Sequence, residues 1–252
     1  MNNLTRRALL LGVAGASLSG CDRLAEKDST RRILAGAERL TAQTQRAVSS
    51  PLALAREYTE ADLSPVFKPN GTTDPDDDAY QAMAAEGFAT WRLEVAGLVE
   101  RPAQFSLDEL RALPSRTQIT RHDCVEGWSC IGKWKGAPLA ELLQRVGLKP
   151  EARFLSFHCA DAMNSGDADS KYYESLDIAE ASHPQTLLAY EMNDKPLEIA
   201  HGAPLRLRVE RQLGYKMAKY LMRIEAVESF AGLRGGKGGY WEDLGYAWYA
   251  GI

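Results

Sequence analysis

Cysteine is scarce in this chain, four in 252 residues, and the four are scattered. No Cys-x-x-Cys-His string is present, which excludes a covalently attached c-type haem, and the spacing suits no iron–sulfur cluster. Long apolar runs are missing too. The run from Ala8 to Leu18 makes a helix of roughly 16 Å, about half of a ~30 Å bilayer core, and no later segment is apolar enough to cross one. Positive charge is not in excess: a net charge of −4 with no Lys/Arg run offers no field for nucleic acid. Internal repeats and low-complexity blocks are absent. What remains, 45% hydrophobic and 25% charged, is ordinary for a soluble globular domain.

The N-terminus reads as an address rather than as fold. Thr5-Arg6-Arg7, a short apolar stretch and small residues before Cys21 describe a signal peptide better than a buried helix. The arginine pair resembles a twin-arginine export signal, and Leu18-Ser19-Gly20-Cys21 is similar to a bacterial lipobox. These resemblances imply a signal peptide over 1–20, passage through the twin-arginine export machinery, and lipid on Cys21. The expected location is the periplasm, tethered to the inner membrane, with Asp22 favouring that membrane. Export of folded protein also suits a cofactor inserted before translocation.

With Cys21 given to lipid, Cys124, Cys130 and Cys159 remain. An odd count in an oxidising compartment leaves at least one thiol outside any intramolecular disulfide. A Cys124–Cys130 bridge would close a short loop; the alternative for Cys130 and Cys159 is burial as small hydrophobes.

From Ser29 to about Arg56, apolar residues recur at helical spacing (Ile33, Leu34, Ala37, Leu40, Val48) until Pro51 interrupts. Residues 21–66 are therefore expected to form a lipid-anchored helical arm. Phe67 to Asp78 is a Pro/Asp-rich loop, too polar for core. Trp91, Leu93 and Val95 alternate as a strand ending at Gly97. Ser106-Leu107-Asp108-Glu109 is a capping box before a short helix. Thr117 to Cys124 reads as a strand, Leu139 to Val146 as a helix ended by Gly147, and Arg153 to Cys159 as a strand. Asp177 can cap a helix through Ser182. Leu187–Met192 and Leu197–Ile199 flank a hairpin turn at Asn193-Asp194-Lys195-Pro196. Leu205, Leu207 and Val209 face one side of a strand, and Arg206, Arg208 and Glu210 the other. The glycines at 235, 236, 238 and 239 are expected to be flexible, with Tyr240, Trp241, Tyr246, Trp248 and Tyr249 packing back as an aromatic tail over 231–252. Short helices among irregular strands predict an α+β fold.

The chemistry concentrates in Arg121-His122-Asp123-Cys124-Val125-Glu126-Gly127-Trp128-Ser129. A thiol at a strand end beside a Gly-Trp turn is either a nucleophile or a ligand for a soft or redox-active metal. Cys124-Val125-Glu126-Gly127-Trp128-Ser129, then Trp134-Lys135-Gly136, then His201-Gly202-Ala203-Pro204-Leu205-Arg206 resemble, in order, the molybdopterin domain of the sulfite oxidase family. The similarity is closer to its bacterial branch, which includes the catalytic subunits of periplasmic methionine-sulfoxide reductases. It covers roughly 67–230 and implies a molybdopterin-binding oxidoreductase domain of mixed sheets and short helices, holding one Mo-molybdopterin with a cysteine thiolate on the metal.

Carried over residue by residue, the resemblance makes Cys124 the molybdenum ligand. Asn70, with Gly71 and Thr72, falls where an early loop meets the cofactor. Cys159 stands where the reductase branch has a threonine; His201 stands where that branch has asparagine and sulfite oxidases have histidine. Arg206, Gly214-Tyr215-Lys216 and Lys219 match cofactor-contacting positions. Physically, Arg206 offers a planar fork to a phosphate and Lys216 a point charge, while Gly214 can present backbone N–H groups. Taken singly, Arg206 also fits a solvated strand face, Lys216 a surface lysine, and His201 a hydrogen-bonded turn. Arg121, His122 and Trp128 flank the ligand and are the candidate substrate-facing groups.

The implied reaction is two-electron oxo transfer on a small-molecule substrate. Without a haem motif or cluster cysteines, electrons need a separate redox partner, and a membrane b-type cytochrome suits a tethered enzyme. The 22 residues after Phe230 are too few for the immunoglobulin-like dimerisation domain of sulfite oxidases, so a single monomeric catalytic domain is expected. Two other readings stand beside this one: a non-catalytic molybdopterin-binding scaffold, and a zinc hydrolase using Cys124, Cys130, His122 and His158, whose spacing matches no common zinc motif.

Overall fold

The computed structural model describes residues 27–48, 50 and 52–252. The signal-peptide and lipobox segments, Cys21 included, lie outside the described residues. The chain divides into two units, Met1–Ser49 and Ser50–Ile252.

The first unit contributes one helix, α1 (Asp28–Val48). The helical spacing of Ile33, Ala37 and Leu40 is realised, and the hydroxyls of Thr41 and Thr44 donate to the carbonyls of Ala37 and Leu40 one turn back. Among the described residues, no helix is long and apolar enough to cross a membrane.

The second unit is α+β, with short helices around one mixed and one antiparallel sheet. Residues 52–66, expected in the arm, belong to this unit: the Ala55 N–H donates to Gln185 Oε1 at 2.7 Å, and Glu57 bridges to Thr120. One sheet runs β2 (Ala103–Phe105), β1 (Leu93–Gly97), β10 (Leu221–Val227), β5 (Phe154–Ala162), β6 (Lys171–Asp177), with β1 and β10 parallel. The other runs β3 (Arg116–Asp123), β4 (Ser129–Pro138), β7 (Leu187–Met192), β8 (Lys195–Pro196), and β9 (Arg206–Arg208) also pairs β7.

Local signals set most helix ends. Helix α2 (Asp78–Ala85) is capped by Asp77, which accepts from the Tyr80 N–H at 2.8 Å. At α3 (Leu107–Arg111) the Ser106–Glu109 capping box forms in both directions. Helix α4 (Leu139–Val146) buries Leu139, Leu142, Leu143 and Val146 on one face, roughly 1.5–3 kcal/mol for each large side chain. Gly147 then leaves the helix at φ +68°. Asp177 caps α5 (Ile178–Ala181) through the Glu180 N–H. The main core joins these faces, from Trp91, Leu93 and Val95 through the α4 stripe to Leu205, Leu207 and Val209.

The structure departs from the sequence expectation in four further places. The hairpin after β7 turns on Asn193 and Asp194 alone, both with φ above +50°, so the return strand is Lys195–Pro196. Residues Ile199–His201 form a 3-10 turn. The β9 strand has no solvated face: Arg206 and Arg208 are fully buried. The glycine-rich segment is tied down, with the N–H groups of Gly235 and Lys237 donating to Asp243 at 3.0 and 3.0 Å. Its aromatics pack back, Trp248 stacking on Phe230 at 5.6 Å.

Gly136 marks where backbone alone fits. Strands β4 and β7 shift register there, and an added Cβ would lie 2.6 Å from the Leu188–Ala189 backbone at Ala189 Cα. Gly136→Ala is expected to destabilise the fold by about 1–3 kcal/mol, read as a lower urea midpoint at unchanged m-value.

Candidate active site

Strands β3 and β4 form a hairpin whose corner is the signature itself. Cys124 leaves β3, its N–H donating to Trp128 O at 2.9 Å, and the Gly127 N–H returns to Cys124 O at 3.0 Å. Gly127 sits at φ +85°, the left-handed conformation that closes the turn. The turn presents Cys124 to a cleft of about 150 Å³ that Asn70, Gly71, Thr72, Asp161, Tyr215 and Lys219 also line. Burial pushes the Cys124 thiol up, against the backbone N–H groups of Glu126 and Val125, which favour the thiolate. All three described cysteines are free, so the Cys124–Cys130 bridge does not form.

Lys219 brings positive charge to the cleft, and Arg206, which does not line it, is buried close by across Gly202. Lys219 Nζ donates to the carbonyls of Asn70 (2.6 Å), Thr72 and Ala200 (3.1 Å), and Tyr220 Oη donates to Thr72 O at 2.8 Å. That is how the 70–72 loop reaches the site. Gly202, at φ +101°, lies between the stems of Lys219 and Arg206; a Cβ there would approach them to 2.9 and 3.2 Å. Arg206 donates to His201 O at 2.9 Å and its buried Nε finds no partner. Burial, then the neighbouring Arg208, pulls Arg206 down to about 9, and burial with Arg206 pulls Lys219 down to about 7. Among the described residues neither cation has a carboxylate ion pair.

Of the remaining sequence candidates, Gly214 also lines the cleft and the others lie outside its lining. Arg121 turns to the outer side of the hairpin, its Nε 2.9 Å from Asp123. His122 is buried beneath the turn: Nδ1 accepts from Arg208 at 3.1 Å and lies 3.3 Å from Met217 Sδ. Burial first, then Arg208, holds this imidazole neutral, well below its ordinary pKa. Gly214 packs directly on the ring, where a Cβ would come within 2.4 Å. Trp128 donates to Glu126 at 2.8 Å at the rim. Cys159 is in the main core with its thiol pushed up by burial. His201 lies beside Phe67, ring centroids 5.7 Å apart, its Nδ1 buried without a partner. Lys216 is fully buried between Glu174 (2.6 Å) and Glu242. Among the described residues, no three His, Cys, Asp or Glu side chains converge to hold a metal ion, which removes the zinc reading; His158 instead meets Glu225 at 3.3 Å.

Three features escaped sequence reasoning. Trp134 lies under both guanidiniums, Arg206 at 4.9 Å and Arg208 at 4.2 Å. Gln118, Glu210 and Arg208 form one buried network, with Arg208 Nη2 2.7 Å from Glu210. Asp161 lines the cleft with a buried Oδ1 lacking a partner. No sequence signal marked it, since it sits where β5 and β6 shift register between His158 and Ala162.

Burial raises the Asp161 carboxyl to about 6, from an ordinary 3.8. Between those values the folded chain keeps a proton that the unfolded chain has released, so stability falls as pH rises through the window. Asp161→Asn escapes that loss. Urea unfolding is expected to show the variant more stable than the parent by on the order of 2 kcal/mol at about pH 7, the advantage shrinking toward zero near pH 4.

The sequence model of the oxidoreductase molybdopterin binding domain matches residues 80–231. The YedZ1 protein of Azospira oryzae, named as a protein-methionine-sulfoxide reductase subunit, is 38% identical over 247 residues, 98% of this chain and 86% of its own length. The catalytic subunit MsrP of the protein-methionine-sulfoxide reductase from Xanthomonas axonopodis pv. citri is 38% identical over 158 residues, 60% of this chain and 49% of MsrP, so that match spans about half of the relative. Among solved structures, the sulfane dehydrogenase SoxCD of Paracoccus pantotrophus overlaps 55% of this chain and 38% of its own at 25% identity and a TM-score of 0.48. The chain belongs to the oxidoreductase molybdopterin-binding domain family, of sulfite oxidase type, and is a molybdopterin-dependent oxidoreductase.

Proposed function

We propose that this chain is the catalytic subunit of a periplasmic sulfoxide reductase, with Cys124 the protein's ligand to molybdenum. The reaction takes a sulfoxide, two protons and two electrons to a thioether and water. The observation that carries the reading is the single thiol of the cleft: Cys124 lines it together with Lys219, whereas Cys130 and Cys159 do not. The names of the relatives point to methionine sulfoxide in proteins as the substrate class.

The residues fit the cofactor. Arg206, with an unpartnered buried Nε, and Lys219, held only by carbonyls, leave positive charge uncompensated, which suits the anionic phosphate of a pterin. Asn70, Gly71, Thr72 and Tyr215 line the same cleft. When bound, the cofactor supplies the oxygen-atom exchange and the two-electron redox change. Cys124 provides a soft sulfur, and the N–H groups of Val125 and Glu126 orient it. Asp161 can hold a proton at its free Oδ1, beside Lys219. Arg121 and His122 take no direct part here, because one points outward and the other lies under the turn.

The wider assignment follows. Residues 1–20 serve as a twin-arginine signal, Cys21 carries the lipid, 67–230 forms the cofactor domain, and a membrane b-type cytochrome supplies electrons.

Expression in a host that makes molybdopterin is expected to give about one molybdenum and one pterin per chain, with sulfoxide reduction by a reduced viologen dye. Cys124→Ser should lose most of the activity and alter the metal's paramagnetic spectrum, while Cys130→Ala keeps both. A fully loaded protein that turns over no sulfoxide would remove the sulfoxide-reductase reading, and one that turns over no N-oxide or sulfite either would leave a scaffold; an unchanged spectrum in Cys124→Ser would remove the ligand assignment.

A further inference from the structure

One wall of the cleft comes from the C-terminal segment, beyond residue 231, where the family match ends. Trp241, from α6 (Tyr240–Asp243), and Tyr246 both line it. Their rings stack with centroids 5.3 Å apart at 28°, and Tyr215 meets Tyr246 edge-on at 5.5 Å. Tyr246 is nonetheless 41% exposed, an aromatic surface left open. The sides of the cleft beside this pair are Met163, Met217 and Tyr172.

The wall is held firmly. Lys216 is buried between Glu174 of β6 and Glu242 of α6. Tyr173 Oη donates to Asp243 at 2.5 Å, and Asp243 also accepts from Gly235 and Lys237. Ser175 donates to Gly238 O. These contacts fix the backbone on either side of Trp241; its ring also packs against the main core and meets Tyr240 edge-on at 5.3 Å, while it and Tyr246 both line the cleft. Thioether sulfur and apolar substituents both pack favourably on aromatic rings.

We propose that Trp241 and Tyr246 are the specificity wall of this cleft, receiving the apolar or aryl substituent of the sulfoxide and of the thioether it becomes. The inference rests on the sulfoxide reading above and adds which residues select the substrate. The pair positions the substrate and carries no electrons or protons.

The test uses the full molybdenum-loaded chain and the variants Trp241→Ala, Tyr246→Ala, Trp241→Phe and Tyr246→Phe. Fluorine NMR titration of para-fluorophenyl methyl sulfide measures binding of a product that does not turn over. Molybdenum and pterin content is measured on every sample, and steady-state kinetics compare methyl phenyl sulfoxide with dimethyl sulfoxide. Each alanine variant is expected to bind the aryl sulfide about tenfold more weakly, to raise KM for the aryl sulfoxide at nearly unchanged kcat, and to shift dimethyl sulfoxide by less than about twofold. The phenylalanine variants should recover most of the loss. Absent binding to the parent, unchanged binding in the alanine variants, equal losses for both sulfoxides, or a fall in cofactor content would each overturn the proposal. If the parent binds the sulfide through these rings but reduces no sulfoxide, the wall stands and the reaction assignment fails; if it reduces sulfoxides with the rings indifferent, the reverse holds.

Discussion

Two guanidiniums stacked on one buried indole set the terms for the rest of this site. Arg206 and Arg208 are neighbours on the short β9 strand, and both lie over Trp134. Burying two like charges together is costly, and the chain offsets it for only one of them. Arg208 is answered by Glu210 in a two-point pair, which Gln118 secures from β3. The remaining Arg208 nitrogen reaches His122, and His122 lies under Gly214 and next to Met217, which lines the cleft. A continuous run of contacts therefore leads from the indole to the floor beneath the Cys124 turn. It explains why Trp134 and His122 have no freedom to act as chemical groups themselves.

The charge left over tells which side of the molecule expects a ligand. Lys216 has two carboxylates for one ammonium, and burial pushes Glu174 toward its neutral form, so its charge is already answered. Arg206 and Lys219 have carbonyls and no carboxylate partner among the described residues, and Asp161 is pushed toward its neutral form. An anion placed in the cleft is repaid by the second group and gains nothing from the first. Lys216 thus serves the C-terminal wall, and Lys219 faces the cleft where the cofactor is proposed to sit.

The sequence made some of this legible and hid the rest for physical reasons. The Ser106 capping box, the α4 stripe and the β3–β4 corner at Cys124 are local, and local chemistry decides them. Arg206-Leu207-Arg208 has the alternation of a half-exposed strand, and only the distant Trp134 and His122, with Glu210 two residues on, make its polar face an interior one. Lys216 reads as a phosphate donor until Glu174 and Glu242 arrive from 42 residues before and 26 after it. Asp161 carries no motif; its free oxygen and raised pKa exist only once β5 has delivered it to the cleft.

The same physics separates the two roles open to Cys124. A nucleophilic cysteine works as a thiolate, and sites that use one lower its pKa with a helix end or a nearby cation. Here burial outweighs every lowering contact, and the adjacent imidazole is turned away toward Arg208 and held neutral. A metal ligand has no such requirement, because the metal itself displaces the proton as it binds. What a ligand needs is a sulfur fixed in position with its backbone satisfied, and the Gly127 turn supplies that through the Cys124–Trp128 and Gly127–Cys124 hydrogen bonds. A turn that withholds activation while enforcing geometry suits the ligand role proposed for Cys124, in which it would hold a reactive centre in place and leave the bond-making to that centre.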